Sequence, residues 1–167
     1  MRAAETIERQ GYRVGALAFV TRFDQASALV DMLPVSRVPH APQWLVGLVN
    51  WHGYPVPVFD LAPLAELPHE SVARRMLLMF GEGDALAGLV INGVPQRLRF
   101  ADDDRVAATD VPPLFTGYVG TAYRSLARGR GSGSESGDAD VVWLELDVVR
   151  LFEDLASTVA ETEGQPQ

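Results

Sequence analysis

Between positions 39 and 61 the chain reads Pro-His-Ala-Pro-Gln-Trp-Leu-Val-Gly-Leu-Val-Asn-Trp-His-Gly-Tyr-Pro-Val-Pro-Val-Phe-Asp-Leu. This run leaves few structures open. Residues 44–49 are apolar on both faces apart from Gly47 and too short for a helix, so they read as a strand buried on two sides. Residues 54–61 follow across Gly53 and should pair back as a hairpin closed by Asp60. Pro55 and Pro57 stand two apart, so both missing backbone donors point toward the same neighbour, and that side of the strand must be an edge or a bulge. An edge is a place where a partner can sit. The run carries no plausible nucleophile and no phosphate-cradling loop, so it presents a shape.

The rest of the chain repeats the theme of short strands between turns. Leu17, Phe19 and Phe23 recur at even spacing with Thr21 among them, which predicts a first strand over 15–23. Residues 26–38 are mostly apolar but broken by Pro34, and read as a short strand or helical turn followed by an extended stretch. Strands are expected at 76–80 and 85–91, joined by Glu82-Gly83-Asp84, with Asn92-Gly93 as a second turn and a further strand at 96–100. Residues 115–124, interrupted by Gly117 and Gly120, and 141–146 read as two more. Val148, Leu151, Phe152 and Leu155 then fall at helical spacing behind Asp147, a suitable N-cap. This pattern predicts an all-β, barrel-like fold with short helices.

At 167 residues there is room for one domain or for two small halves sharing a core. The expected limits are a flexible tail over 1–11, a single domain over 12–157 and a frayed tail over 158–167. Residues 129–140 are nearly all Gly, Ser, Arg and acid, too polar to offset chain entropy by burial, and read as a mobile hairpin tip.

Composition narrows the function classes. Cysteine is absent, which removes disulfides, thiolate metal sites and cysteine nucleophiles. Ile7 is the one sizeable apolar side chain beyond Met1 in the first ten residues, too little for a signal-peptide core, and no stretch approaches the roughly 18 apolar residues of a membrane span. The chain therefore reads as cytoplasmic, without membrane insertion. A formal charge of −8, with acids at Asp102, Asp103, Asp104 and between 135 and 140, opposes phosphate backbones and argues against a nucleic-acid partner.

Candidate chemistry is thin. His40, His52 and His69 lack the spacing of metal ligands and read as solvated loop histidines. Ser71, His52 and Asp60 can be assembled into a triad on paper, but no Gly-x-Ser-x-Gly elbow supports it. Asp60 suits capping of the turn that follows it, and Arg97, Arg99 and Arg105 form a basic stripe largely cancelled by neighbouring acids. Trp44 and Trp143 read as core, while Trp51 beside a turn is open to either core or contact. A small hydrolase or metal-dependent enzyme using His52 and Asp60 remains the rival from another class.

The ordered set Pro39-His40-Ala41-Pro42, Trp44-Leu45, Gly47, Leu48-Val49-Asn50, Trp51-His52-Gly53 and Pro57-Val58-Phe59-Asp60-Leu61 resembles the CheW family, the coupling proteins of bacterial chemosensory arrays. Gly88-Leu89-Val90-Ile91-Asn92-Gly93-Val94, Pro112-Pro113 with Tyr118-Val119-Gly120, and Trp143-Leu144-Glu145-Leu146-Asp147 extend the resemblance over roughly 12–155. It implies two SH3-like five-stranded β-barrel subdomains packed around a common core with a C-terminal helix. It also implies a scaffold with no catalytic residues, cofactor or metal, bridging a methyl-accepting chemoreceptor signalling tip to the regulatory domain of a CheA-type histidine kinase. Partner contact is then expected at Asp31, Met32, Trp51, His52, Gly53, Gly93 and Val94. Two departures stand out. The stretch 24–39 is shorter than in the family, with Asp31-Met32 as counterpart of a glutamate-isoleucine pair, and His52 replaces an arginine associated with receptor binding. Histidine cannot offer arginine's permanent, forked cation, which tilts the reading toward a divergent or auxiliary member.

Overall fold

The computed structural model describes residues 5–65, 74–125 and 141–163. The hairpin tip expected at 129–140, and His69 and Ser71, lie outside them. In chain order the strands are β1 (Thr6–Val14), β2 (Leu17–Thr21), β3 (Ala26–Asp31), β4 (Val35–Ser36), β5 (Leu45–Trp51) and β6 (Tyr54–Phe59). After the short helix α1 (Leu61–Leu64) come β7 (Arg75–Phe80), β8 (Ala87–Ala101), β9 (Arg105–Val106), β10 (Val119–Ser125), β11 (Val141–Leu146) and the long helix α2 (Val148–Glu163). They join in one curled sheet of order β4-β5-β6-β8-β1-β2-β11-β10-β9, with β7 branching from β8 and β3 from β7.

The two-barrel architecture follows from β8, which serves both lobes. Its first half pairs with β7, from Phe80↔Ala87 to Arg75↔Asn92, and in parallel with β6 at Val58↔Gly88. Its second half pairs with β1, from Gln96↔Gly11 to Ala101↔Thr6. The expected reversal at Asn92-Gly93, with a separate strand at 96–100, is therefore corrected: this is one 15-residue strand that bends. Gly93 takes φ +78° and donates its N–H to the Arg74 carbonyl at 2.7 Å, so the chain is handed from one ladder to the next without turning back.

Among the described residues three apolar clusters form the interior. Val49, Val56, Val58, Leu77, Met79 and Val90 fill the first barrel, and Ala18, Val20, Phe100, Tyr123 and Trp143 the second. Between the barrels lies the largest cluster, where Tyr12, Phe19, Phe59, Phe80, Phe115 and Leu144 meet Leu151, Phe152 and Leu155 of α2. Successive residues of one strand serve different cores: Leu77 and Met79 face the first barrel, Leu78 and Phe80 the common core. β7 thus reads as a continuous apolar run, since both of its faces are buried.

Two expected limits shift. The strand expected over 15–23 is present as β2, but it is the second, and the chain is not a tail up to 11, because β1 already begins at Thr6. Its charges are paired across strands: Glu8 with Arg97 and Arg99 at 2.9 and 2.7 Å, Arg9 with Glu145 at 2.9 Å. At the other end α2 continues to Glu163 rather than fraying from 158. The Ser157 and Thr158 hydroxyls bond back to the carbonyls of Glu153 and Asp154, and Val159 packs on the common core. The N-cap is as expected, with Asp147 Oδ1 accepting from the Arg150 N–H at 3.2 Å.

Candidate partner-binding surface

The proline turn enters β5 with His40 in the left-handed region at φ 59°, and the Leu45 N–H bonds to the Pro42 carbonyl at 3.0 Å. Gly47 has φ +149° and lies against β4, where a Cβ would sit 2.6 Å from Val35 Cγ1 and press on the Ser36 carbonyl oxygen. No larger residue fits. The β5–β6 hairpin closes in two residues, with Trp51↔Tyr54 as its last pair and His52 and Gly53 at φ 52° and 87°, the signature of a type I′ turn. Asn50 Oδ1 accepts the Gly53 N–H at 2.8 Å and stitches the turn. Histidine is among the few non-glycine residues enriched at positive φ, which gives His52 a backbone reason to stand there.

At the tip the His52 ring lies edge-on to Trp51, centroids 4.4 Å apart, and is itself exposed. Trp51 is half-buried and packs against the first-barrel cluster, so it serves the core while part of it stays accessible. Met32 packs on the same cluster. Asp31 ends β3 exposed and pairs with Arg74 at 2.9 Å, while the Arg74 carbonyl holds the Gly93 N–H. Beyond Gly93, Val94 is 69% exposed. The structure thus joins the expected residues in two pairs, Met32 with Trp51 through a shared core and Asp31 with Gly93 through Arg74, and leaves His52–Gly53 at the hairpin tip. Sequence reasoning passed over Arg74 and Tyr54, the latter 72% exposed beside the turn. The signal for Tyr54 was its place directly after an expected turn.

Asp60 does what its position suggested. Its Oδ1 accepts the Ala62 N–H at 3.0 Å at the start of α1, and its Oδ2 pairs with Arg75 at 3.1 Å. His52 and Asp60 flank opposite ends of β6, about 17 Å or more apart at roughly 3.3 Å per residue, so they cannot share a proton. Among the described residues no cluster of three acid or imidazole ligands is placed to hold a metal. The basic stripe is likewise spent: Arg97 and Arg99 both grip Glu8, and the hydrogen bond from Arg99, followed by the charge of Arg97, holds that carboxyl below the usual glutamate range. Arg105 lies over the Tyr123 ring. Burial pushes the Tyr12 hydroxyl far up, and the Tyr118 hydroxyl is raised by its bond to Asp154. None of these groups is poised for acid-base work.

A family model described as the CheW-like domain matches residues 10–156, spanning both barrels and the start of α2. The chain belongs to the CheW-like domain family. Its curated relatives include a probable chemotaxis protein CheW of Rhizobium etli, 25% identical over 93 residues that cover 55% of this chain and 60% of that protein. The chemotaxis protein CheW of Rhizobium meliloti is 26% identical over 119 residues, covering 71% of this chain and 72% of that one. The crystal structure of the scaffolding protein TtCheW from Thermoanaerobacter tengcongensis superposes with a TM-score of 0.64 over 87% of this chain and 92% of that one, at 13% identity. That likeness carries the fold. CheW-like domains are non-enzymatic scaffold and adaptor modules, which sets the hydrolase and metalloenzyme reading of His52 and Asp60 aside. No helix among the described residues is long and apolar enough to cross a membrane.

Proposed function

We propose that this chain is an adaptor of a bacterial chemosensory system, coupling a methyl-accepting chemoreceptor signalling tip to the regulatory domain of a CheA-type histidine kinase in the cytoplasm. The observation that carries the reading is the family match over 10–156. Its partner surface comprises Asp31, Met32, Trp51, His52, Gly53, Gly93 and Val94. Support comes from their placement: Met32 and Trp51 pack on one small core, His52 lies against Trp51 at the turn, and Asp31 and Val94 are exposed. With histidine replacing the family's arginine, recognition at the turn leans on shape and on the Trp51 edge more than on charge.

Pull-down against the kinase regulatory domain and a receptor signalling tip, separately and together, tests this. Both should be captured, and Trp51→Ala and Val94→Glu should weaken at least one arm by about tenfold, the scale of an interface anchor. Capture of neither, in a sample whose melt confirms the fold, would reject the reading. His52→Arg should strengthen the receptor arm at low salt and lose that gain as salt rises. The pathway served, flagellar chemotaxis or type IV pilus twitching, is read from which motility the deletion strain loses.

A further inference from the structure

Between β6, the turn joining β7 to β8, and one side of α2 runs a groove of about 350 Å³, walled by Pro57, Phe80, Leu86, Val149, Phe152 and Ala156. It is near the low end of roughly 300–1,000 Å³ for ligand pockets and suits one or two large apolar side chains. Asp84 and Glu153 also line it, and no basic side chain does among the described residues. Neither carboxylate is in an ion pair among the described residues. The chain's negative charge is thus expressed here as two uncompensated acids around an apolar floor.

The neighbouring strand edge adds a second constraint. Pairing of β6 with β8 begins only at Val58↔Gly88, so residues 54–57 have no strand on that side among the described residues. A two-residue loop makes Trp51↔Tyr54 a hydrogen-bonded pair, and such pairs alternate along an antiparallel ladder. Val56 therefore directs its N–H and C=O toward β5, while Pro55 and Pro57 face away from it. Proline has no N–H, so this edge offers carbonyl oxygens and no donors. An added β-strand needs both, and β-augmentation is closed here. What the edge accepts is N–H donors from side chains.

We propose that this groove docks a segment of a partner polypeptide carrying one or two large apolar side chains flanked by arginine or lysine. The apolar floor takes the anchors, and Asp84, Glu153 and the acceptor-only edge select for cationic donors and against acids. None of the seven residues of the proposed receptor and kinase surface lines the groove, so this site stands whether or not that assignment does.

Selection of random dodecapeptides displayed on phage against the full chain provides the test. Recovered sequences should combine Leu, Ile or Phe with Arg or Lys, be poor in Asp and Glu, and bind more weakly as salt rises. Glu153→Lys and Ala156→Trp, both at exposed positions of α2, should each reduce their affinity by about tenfold, with circular dichroism melts showing that the fold is kept. Acidic or uncharged binders, affinity unchanged by both variants, or no binder from the selection would overturn the proposal. A concentration-dependent dimer of the wild-type chain that Ala156→Trp dissociates would overturn it too, by making a second copy the occupant.

Discussion

Gly47→Ala isolates the tightest joint in the first barrel. Gly47 pairs with Val58 across a bulge between Leu45 and Gly47, and its φ of +149° lies where L side chains are strained. The added methyl would stand 2.6 Å from Val35 Cγ1 and against the Ser36 carbonyl, which is backbone and cannot swing aside. Backbone strain of about 1–3 kcal/mol and overpacking of about 1–3 kcal/mol together suggest a loss near 3 kcal/mol. For 167 residues that corresponds to a Tm lower by roughly 6–12 °C. Gly53→Ala is the internal control: its φ is +87°, but nothing lies within 4 Å of the added carbon, so only a conformational cost of about 1 kcal/mol applies. Urea unfolding of both variants, with equal m-values, measures the difference. Equal losses would refute the argument, because they would show that β4 moves freely away from β5.

Thr21 is 1% exposed and its hydroxyl has no hydrogen-bond partner among the described residues, so Thr21→Val should stabilise by about 1 kcal/mol; a loss of stability in urea would mean the hydroxyl is bonded in solution. Asp60→Ala should cost about 1 kcal/mol through the lost N-cap, and Asp60→Asn, which keeps the acceptor, should cost less; equal costs would shift the weight to the Arg75 pair. Glu8 has a carboxyl whose affinity for protons is lowered in the folded state, so its contribution is present above the ordinary glutamate value of 4.5 and fades as pH falls through the depressed one. The stability gap between wild type and Glu8→Gln should close over that acidic range, and a gap independent of pH would contradict the pairing with Arg97 and Arg99.

What the sequence disclosed and what it hid share a cause. The strands β5, β6 and β7 were legible because both faces meet a core, which leaves an apolar run with few other readings. β1 hid for the opposite reason: residues such as Glu8 and Arg9 look solvated in one dimension and find their partners 89 and 136 residues away. Asn92-Gly93 misled because the dipeptide announces positive φ, which Gly93 has, and says nothing about whether the chain reverses afterwards.

The seven expected contact residues were chosen only through the family pattern, and the structure explains why residue chemistry alone would not have chosen most of them. Trp51 and Met32 help close a core, Gly53 and Gly93 shape the backbone, and Asp31 pairs with Arg74. These five have a structural reason to be what they are, whereas Val94, 69% exposed, shows none. A surface built from residues that already hold the fold is rigid before any partner arrives, and rigid surfaces lose little entropy on binding. His52 fits that logic: its left-handed turn position is suited to histidine, and its ring is held against Trp51. If this turn meets a partner as proposed, a histidine where the family resemblance implies an arginine removes a permanent charge, so any loss of affinity should appear in the salt dependence and not in the geometry of the turn.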